Sequence, residues 1–180
     1  GAARGGELET DRGLVTHADN VRTQFRTALT TVEGARNIRD ELIEYQTSYF
    51  AESAQMASRD NRRAYVFTAA GDPERANRFV RLLRMHDIDV YSLEGDVRAD
   101  GRTYAAGESF VVPMNQDQHR MIRGIFDQVT EFPENIFYDV SGWTLPLAYD
   151  LEYSALTGGL RSVSMSDELA EGAFEAASAP

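Results

Sequence analysis

The stretch Ala64-Tyr65-Val66-Phe67-Thr68-Ala69-Ala70-Gly71-Asp72-Pro73 decides the fold of this 180-residue chain. Its first six residues are apolar, β-branched or aromatic, and such a short run predicts a buried strand. The next four residues end that strand and begin a helix. Asp72 is suited to cap a helix, and Pro73 is suited to the first helical position because the missing N–H is not needed there.

Outward from this stretch, the pattern continues as a βαβ unit. A helix is predicted from Pro73 to about His86, with an inner face of Ala76, Phe79, Val80 and Leu83. The residues 88–93 then predict a second strand. Strand, helix and strand within about 30 residues form one supersecondary unit, so we expect the two strands to be parallel and joined by a right-handed crossover.

A third strand and helix complete the predicted α/β domain, which we place at residues 61–160. The Asp100-Gly101 pair predicts a tight turn. The residues 109–114 predict a strand that ends near a proline, and Asn115 is expected to cap the helix that follows. The run that begins at Ser141 is expected to start a further helix.

A long helical arm is predicted before this domain, over residues 16–60. Thr16 is expected to cap it, with Asp19 three residues later. An apolar stripe follows at spacings of three and four: Val21, Phe25, Ala28, Val32, Ala35, Ile38, Leu42, Tyr45 and Tyr49. This spacing indicates one helical face. The helical arm is either a coiled-coil dimerisation or docking element or two antiparallel helices that break at Gly34 and cover a neighbouring domain.

The two ends of the chain differ from the rest in composition. Residues 1–15 are expected to be a flexible lead-in, and residues 161–180 an acidic tail with one short helix from Ser166 to Ala176. The chain does not begin with Met, and we expect it to be a piece of a longer protein whose function lies partly outside it.

Composition excludes several kinds of chemistry. The 18 basic residues are all arginine, and there is no cysteine. Without cysteine there is no disulfide, thiolate zinc site or cysteine nucleophile, and without lysine there is no Schiff base. The net charge of −11 argues against nucleic acid as a partner, because phosphates require a basic surface. No apolar run is long enough to span a membrane.

The three histidines, His17, His86 and His119, do not predict a metal site. None belongs to a His-Glu-x-x-His or His-x-x-Glu pattern, and we expect them to be solvated or to cap helices. Ser141, Asp139 and His119 could be combined as a catalytic triad, but no nucleophile-elbow motif supports it. Ser141 is better explained as a helix cap.

Four arginines recur every three residues on the predicted helix after Pro73, at Arg75, Arg78, Arg81 and Arg84. We expect a solvated, ion-paired face rather than a phosphate site, since Glu74 lies four residues before Arg78. A ligand crevice is instead expected beyond the strand ends. Its candidate residues are Gln116, Tyr138, Asp139, Ser141 and Trp143.

Two longer stretches resemble a specific family. They are Thr103-Tyr104-Ala105-Ala106-Gly107-Glu108-Ser109-Phe110-Val111-Val112-Pro113-Met114-Asn115-Gln116 and Phe137-Tyr138-Asp139-Val140-Ser141-Gly142-Trp143-Thr144-Leu145-Pro146-Leu147-Ala148. Both are similar to a region that follows the peptidase domain in large bacterial zinc carboxypeptidase-like proteins, relatives of carboxypeptidase A. The start of the helical arm at Asn20 and the strand at Tyr65 also look similar, so the resemblance covers roughly residues 15–155.

The resemblance implies a parent enzyme that removes residues from peptide C-termini with zinc and is exported to the periplasm or secreted. The family's zinc ligands, catalytic glutamate and substrate-binding arginine have no counterpart in this sequence, so no catalytic or metal residue is assigned, and no cofactor is expected within this segment. The resemblance further implies a flavodoxin-like, class I glutamine amidotransferase-like parallel sheet. The cysteine that performs chemistry in true amidotransferases is absent.

These observations lead to three functional hypotheses. The first is a non-catalytic accessory domain that docks on, stabilises or oligomerises a zinc peptidase domain of the same chain, or shapes its substrate access. A homo-oligomer formed through the helical arm is a further expected partner. The second is a module that binds a peptide or small ligand at the crevice. The third is an autonomous serine hydrolase that uses Ser141 and His119.

Overall fold

A computed structural model describes residues 7–11, 13–128 and 144–172 of the chain. The chain divides into two compact units, Gly1–Tyr49 and Phe50–Pro180. Within the described residues, every helix is too short or too polar to cross a membrane.

The first unit holds a hairpin and two helices. Strands β1 (Glu7–Thr10) and β2 (Gly13–Thr16) pair antiparallel, a hairpin that the sequence did not lead us to expect. Helix α1 (His17–Asn37) follows directly, and α2 (Arg39–Arg59) begins in this unit and ends in the second.

The predicted cap of the helical arm is confirmed, but the predicted break is not. Thr16 and Asp19 form a reciprocal capping box at the start of α1, which satisfies two backbone groups that would otherwise lack partners. The interruption falls at Ile38, with φ −106° and ψ 25°, and not at Gly34, whose carbonyl accepts a hydrogen bond from the Ile38 N–H. Every residue from Asn20 to Ser48 is exposed, so α1 and this part of α2 bury no side chain against each other as a hairpin would.

The second unit is a mixed α/β domain. Its helices are α3 (Pro73–Met85), α4 (His119–Phe126) and α5 (Leu145–Ala148), with a 3₁₀ turn at Leu160–Ser162. Its strands are β3 (Ala64–Thr68), β4 (Tyr91–Leu93), β5 (Val97–Ala99), β6 (Arg102–Tyr104), β7 (Ser109–Pro113), β8 (Glu152–Leu156) and β9 (Met165–Leu169).

The expected parallel pairing of β3 with β4 does not occur. The five-stranded sheet has the order β8-β3-β7-β4-β9, and each described pairing is antiparallel. Because β3 and β4 are both antiparallel to β7, they run in the same direction with β7 between them. The strand–helix–strand pattern therefore predicted the direction of β4 correctly, but it did not predict that β7 would lie between β3 and β4. The described strands form an antiparallel sheet and not the expected parallel, flavodoxin-like one.

Both faces of the sheet are covered, which explains the continuous apolar run of β3. Tyr65 and Phe67 face α3 and α4, where they join Phe79 and Phe126 in one buried cluster. Val66 faces the opposite side, in a second cluster. All five residues of β3 are buried as a result, and a strand buried on both faces does not show the polar alternation of a half-exposed strand.

The second face is covered by the hairpin of β5 and β6. The predicted turn at Asp100-Gly101 is confirmed, since both residues have positive φ, 49° and 75°, as a two-residue hairpin turn of this sequence requires. Tyr104, the last residue of β6, is fully buried, and its hydroxyl and that of Ser154 in β8 are hydrogen-bonded at 2.7 Å.

Two predictions about helix positions were wrong. Asn115 does not cap α4, which begins after Gln118 without a side-chain cap. The short helix expected from Ser166 is also absent where the structure describes that segment, since β9 pairs antiparallel with β4. An edge strand that is only partly buried carries small and acidic residues, so its sequence lacks the apolar signal of a strand.

Gly172 provides a test of how the end of the described chain packs. It has φ +65°, and a Cβ atom there would lie 2.5 Å from the Asn77 carbonyl oxygen of α3. We expect Gly172→Ala to lower the free energy of unfolding by about 1–3 kcal/mol, because neither the backbone angle nor the carbonyl can adapt cheaply. Chemical denaturation measures the effect. Gly158→Ala is the control, since its Cβ would enter open space, and equal stability of the two variants would contradict this packing.

Candidate functional site

The predicted crevice is only partly within the described residues. Tyr138, Asp139, Ser141 and Trp143 lie outside them, as does the helix start expected at Ser141. Gln116 is described, and its side chain joins two loops. Its amide oxygen accepts from the Asp89 N–H at 2.7 Å, and its amide nitrogen donates to the carbonyls of Asp89 and Pro113. The Gln116 side chain therefore holds the start of β4 next to the end of β7.

His119 is buried, contrary to the expectation of a solvated or capping histidine. Its side chain is 1 % exposed, and its Nδ1 lies 3.0 Å from the Met114 carbonyl oxygen. Because a carbonyl only accepts hydrogen bonds, Nδ1 carries the proton. The Nε2 atom is 3.7 Å from Asp60 Oδ2 and has no hydrogen-bond partner among the described residues. His17 and His86 are exposed.

The arginines of α3 form the ion-paired face that the sequence predicts. Arg75 pairs with Asp72 and Asp150, Arg78 pairs with Glu74 at 3.0 Å, and Arg84 pairs with Asp89 at 2.8 Å. The prediction of ion pairing is confirmed for these three arginines, of which Arg78 is exposed and Arg75 and Arg84 are partly buried.

A cavity of about 830 Å³ lies along β8, and we call it the edge cavity. Four consecutive strand residues, 152–155, line it together with Arg62, Tyr65 and Arg102. Since neighbouring side chains of a strand point to opposite faces, this lining places the cavity along the outer edge of the sheet. In the described part of the chain, β8 pairs only with β3, so the described strands leave its outer edge unpaired.

One wall of the edge cavity is built around Asp127, which follows α4. Its Oδ1 accepts hydrogen bonds from Arg62 and from the Tyr65 hydroxyl, the latter at 2.6 Å. Its Oδ2 accepts two from Arg123, at 2.9 and 2.7 Å. Arg62 also binds both oxygens of Asp60. We refer to Asp60, Arg62, Tyr65, Arg123 and Asp127 as the Asp127 cluster.

The surroundings of the two carboxyl groups in the cluster favour their ionised forms. Burial raises the pKa of the Asp127 carboxyl, but hydrogen bonds from Tyr65 and Arg123 and the charge of Arg62 outweigh it, and the pKa is lowered below the usual value of 3.8. The pKa of Asp60 is lowered in the same way, since its bonds with Arg62 outweigh its burial. Burial, and then the bond to Asp127, raise the pKa of the Tyr65 hydroxyl.

This arrangement lacks a group poised for acid–base chemistry near neutral pH. A general base needs a pKa close to the working pH, whereas both carboxylates of the cluster are held ionised and Tyr65 is held protonated. The arginine side chains are committed to those carboxylates. The Asp127 cluster can therefore position a neighbouring ligand or stabilise the domain, but its groups are not arranged to transfer a proton.

Sequence reasoning missed the Asp127 cluster because its members are far apart in the chain. Arg62 and Asp127 are 65 residues apart, and no local motif links them. The only signal was the polar segment 59–63 directly before a strand buried on both faces, since such a position brings charged groups to the end of a core strand.

Within the described ranges, His, Asp and Glu side chains do not gather in groups of three or more that could hold a metal ion. Comparison with known proteins finds no matching family model, no matching curated protein and no matching solved structure.

The Asp127 cluster predicts a dependence of stability on pH. Asp127 has a lower pKa in the folded than in the unfolded state, so its contribution is fully present above pH 3.8 and is lost as pH falls through the folded-state value. We expect Asp127→Asn to lower the free energy of unfolding at pH 7 by about 2 kcal/mol, because Arg62 and Arg123 lose their shared partner. The difference in the free energy of unfolding between Asp127→Asn and the unsubstituted chain should become smaller in acid, where the Asp127 carboxylate is protonated.

Urea denaturation at pH 7 and near pH 3 measures both effects. Glu74→Gln is the matched control, because it breaks the exposed pair with Arg78 and should cost less than about 0.5 kcal/mol. A loss for Asp127→Asn no larger than that of the control would refute the role of the cluster.

Proposed function

We propose that this chain is a non-catalytic accessory domain of a zinc carboxypeptidase-like protein, where it docks on, stabilises or oligomerises the peptidase domain, or shapes its substrate access. The observation that carries the proposal is the exposed apolar stripe of the helical arm. Val21, Phe25, Val32, Ile38 and Leu42 are between 45 % and 70 % exposed. Large apolar side chains grouped on one exposed face are typical of a surface that binds another polypeptide.

The second unit supports an accessory rather than a catalytic role. The groups of the Asp127 cluster neutralise one another and are not poised for proton transfer. The hydrolase hypothesis needs His119 as a base, but this side chain is buried and its Nδ1 donates to a backbone carbonyl. A substrate therefore has little access to the imidazole. The two quoted stretches that resemble the zinc carboxypeptidase-like proteins support the choice of partner, and with it an exported parent protein that carries zinc in its own peptidase domain.

The proposal is tested first on the gene. We expect the coding sequence upstream of this segment to contain a His-x-x-Glu pair and a later His, the spacing of a carboxypeptidase zinc site. An upstream reading frame without such a pair would contradict the proposed zinc peptidase partner.

A binding measurement then tests the docking surface. We expect this chain to bind the separately produced peptidase domain, and Val21→Glu with Phe25→Glu to weaken that binding at least tenfold, about 1.4 kcal/mol, because two charges would enter an apolar interface. Thr23→Glu is the control, since Thr23 is exposed and lies off the apolar stripe. Calorimetry measures the affinity, and equal affinity for both variants would argue against docking through the stripe.

The edge cavity favours a second candidate function, the binding of a peptide. An open strand edge can accept an extended peptide as an additional strand, and Arg102, whose pairing distance to Glu152 is a loose 3.8 Å, lies at the cavity wall. We expect extended peptides with a free carboxylate to bind the chain with a heat signal in calorimetry. Arg102→Ala should weaken the response, and Arg98→Ala, on the same hairpin but outside the lining, should not. The absence of a heat signal across a peptide library would count against this function.

A further inference from the structure

We infer that the apolar stripe pairs with the same stripe of a second copy of this chain, as an antiparallel helical dimer centred between Ala35 and Ile38. This inference rests on the proposed docking role of the stripe and names its occupant. The stripe residues from Val21 to Tyr45 are exposed, and both helices that carry them belong to the first unit over this range.

The spacing of the stripe is nearly the same in both directions from its centre. Backwards from Ala35, the stripe continues after three and seven residues, at Val32 and Ala28. Forwards from Ile38, it continues after four and seven residues, at Leu42 and Tyr45. Matched positions therefore differ by at most one residue, about 1.5 Å along a helix. An antiparallel partner would bring stripe residue against stripe residue at every level.

The sizes of the paired side chains are complementary in this alignment. Ala28 faces Tyr45, Ala35 faces Ile38 and Val32 faces Leu42 of the other copy, so small residues lie opposite large ones. The two-fold axis repeats each pair, which gives six layers over about 27 Å. A parallel dimer would instead set each residue against itself, with Tyr45 crowded against Tyr45 and a gap between the two Ala28 side chains, and both overpacking and cavities are costly.

The interruption at Ile38 fits the same axis. The helix is interrupted at this residue, and the stripe has two successive spacings of three residues on either side of Ala35, where a regular heptad pattern would alternate three and four. A change of this kind locally alters the winding of a coiled coil. Since the interruption lies within two residues of the proposed centre, two antiparallel copies would bend at nearly the same level.

Charge also favours the antiparallel arrangement. Arginine exceeds acid in α1, where the charged residues are Asp19, Arg22, Arg26, Glu33 and Arg36. Acid exceeds arginine in the first part of α2, where they are Arg39, Asp40, Glu41 and Glu44. Antiparallel pairing lays α1 of one copy, which has one more arginine than acid, along the first part of α2 of the other, which has two more acids than arginine, whereas parallel pairing would lay each segment along its own copy. Complementary charges favour one orientation over the other.

The oligomeric state of the full chain tests the inference. Sedimentation velocity at high micromolar concentration should give a particle of twice the 20.1 kDa mass of the chain. Val32→Glu with Leu42→Glu should return it to the monomer mass, because both layers that pair residue 32 with residue 42 would bury two like charges. Thr30→Glu, exposed and off the stripe, should leave the dimer intact. A monomeric unsubstituted chain would overturn the inference.

Cysteine cross-linking tests the orientation, since the chain has no cysteine of its own. In the antiparallel dimer, Val32→Cys on one copy faces Leu42→Cys on the other, and a mixture of the two variants should form a disulfide on mild oxidation. Val32→Cys alone should not cross-link, because its two copies would be about 15 Å apart along the axis and a disulfide needs Cα atoms within about 7 Å. Efficient cross-linking of Val32→Cys alone would overturn the antiparallel arrangement.

The same measurements separate this inference from the proposed function. If the chain is monomeric but still binds the peptidase domain through Val21 and Phe25, the inferred dimer is wrong and the proposed docking role stands. If the chain dimerises but does not bind the peptidase domain, the docking partner is wrong and the dimer stands.

Discussion

The burial of β3 on both faces is the constraint on which the rest of the second unit depends. A strand in the middle of a core must have its backbone groups paired on both sides, because an unpaired buried N–H or C=O is costly. β7 and β8 provide that pairing. Its two faces then require two covers, the helices α3 and α4 on one side and the β5–β6 hairpin on the other. The three layers of the domain follow from this one strand.

The Asp127 cluster lies at the end of that strand and is a consequence of it. Arg62 lies two residues before β3, and Tyr65 is the second residue of the strand, so this segment brings a cation and a hydroxyl to the edge of the core. An ion there must be paired because burial penalises a lone charge, and Asp127 provides the partner for both. The same pairing that stabilises the cluster holds the pKa of both carboxyl groups below the usual value and raises the pKa of the Tyr65 hydroxyl.

Much of the local structure was predictable, and the reason is that caps and turns depend on neighbouring residues. The Thr16 and Asp19 capping box, the Asp72 cap with Pro73 and the Asp100-Gly101 turn all follow from short-range geometry. The candidate site was much less predictable. Gln116 was expected in a ligand crevice, but its amide joins two loops. The cluster itself joins residues that no short motif connects.

The sequence by itself determined where β3, α3 and β7 lie, that β3 is buried, and that one face of the helical arm is apolar, because each of these depends on the residues nearby. Only the tertiary structure decided that β7 lies between β3 and β4, that β9 completes the sheet, and that the helical arm is interrupted at Ile38. Neighbours in a sheet are chosen by long-range packing and backbone pairing. A strand with acidic residues such as β9 can join only because β4 offers it an unpaired edge.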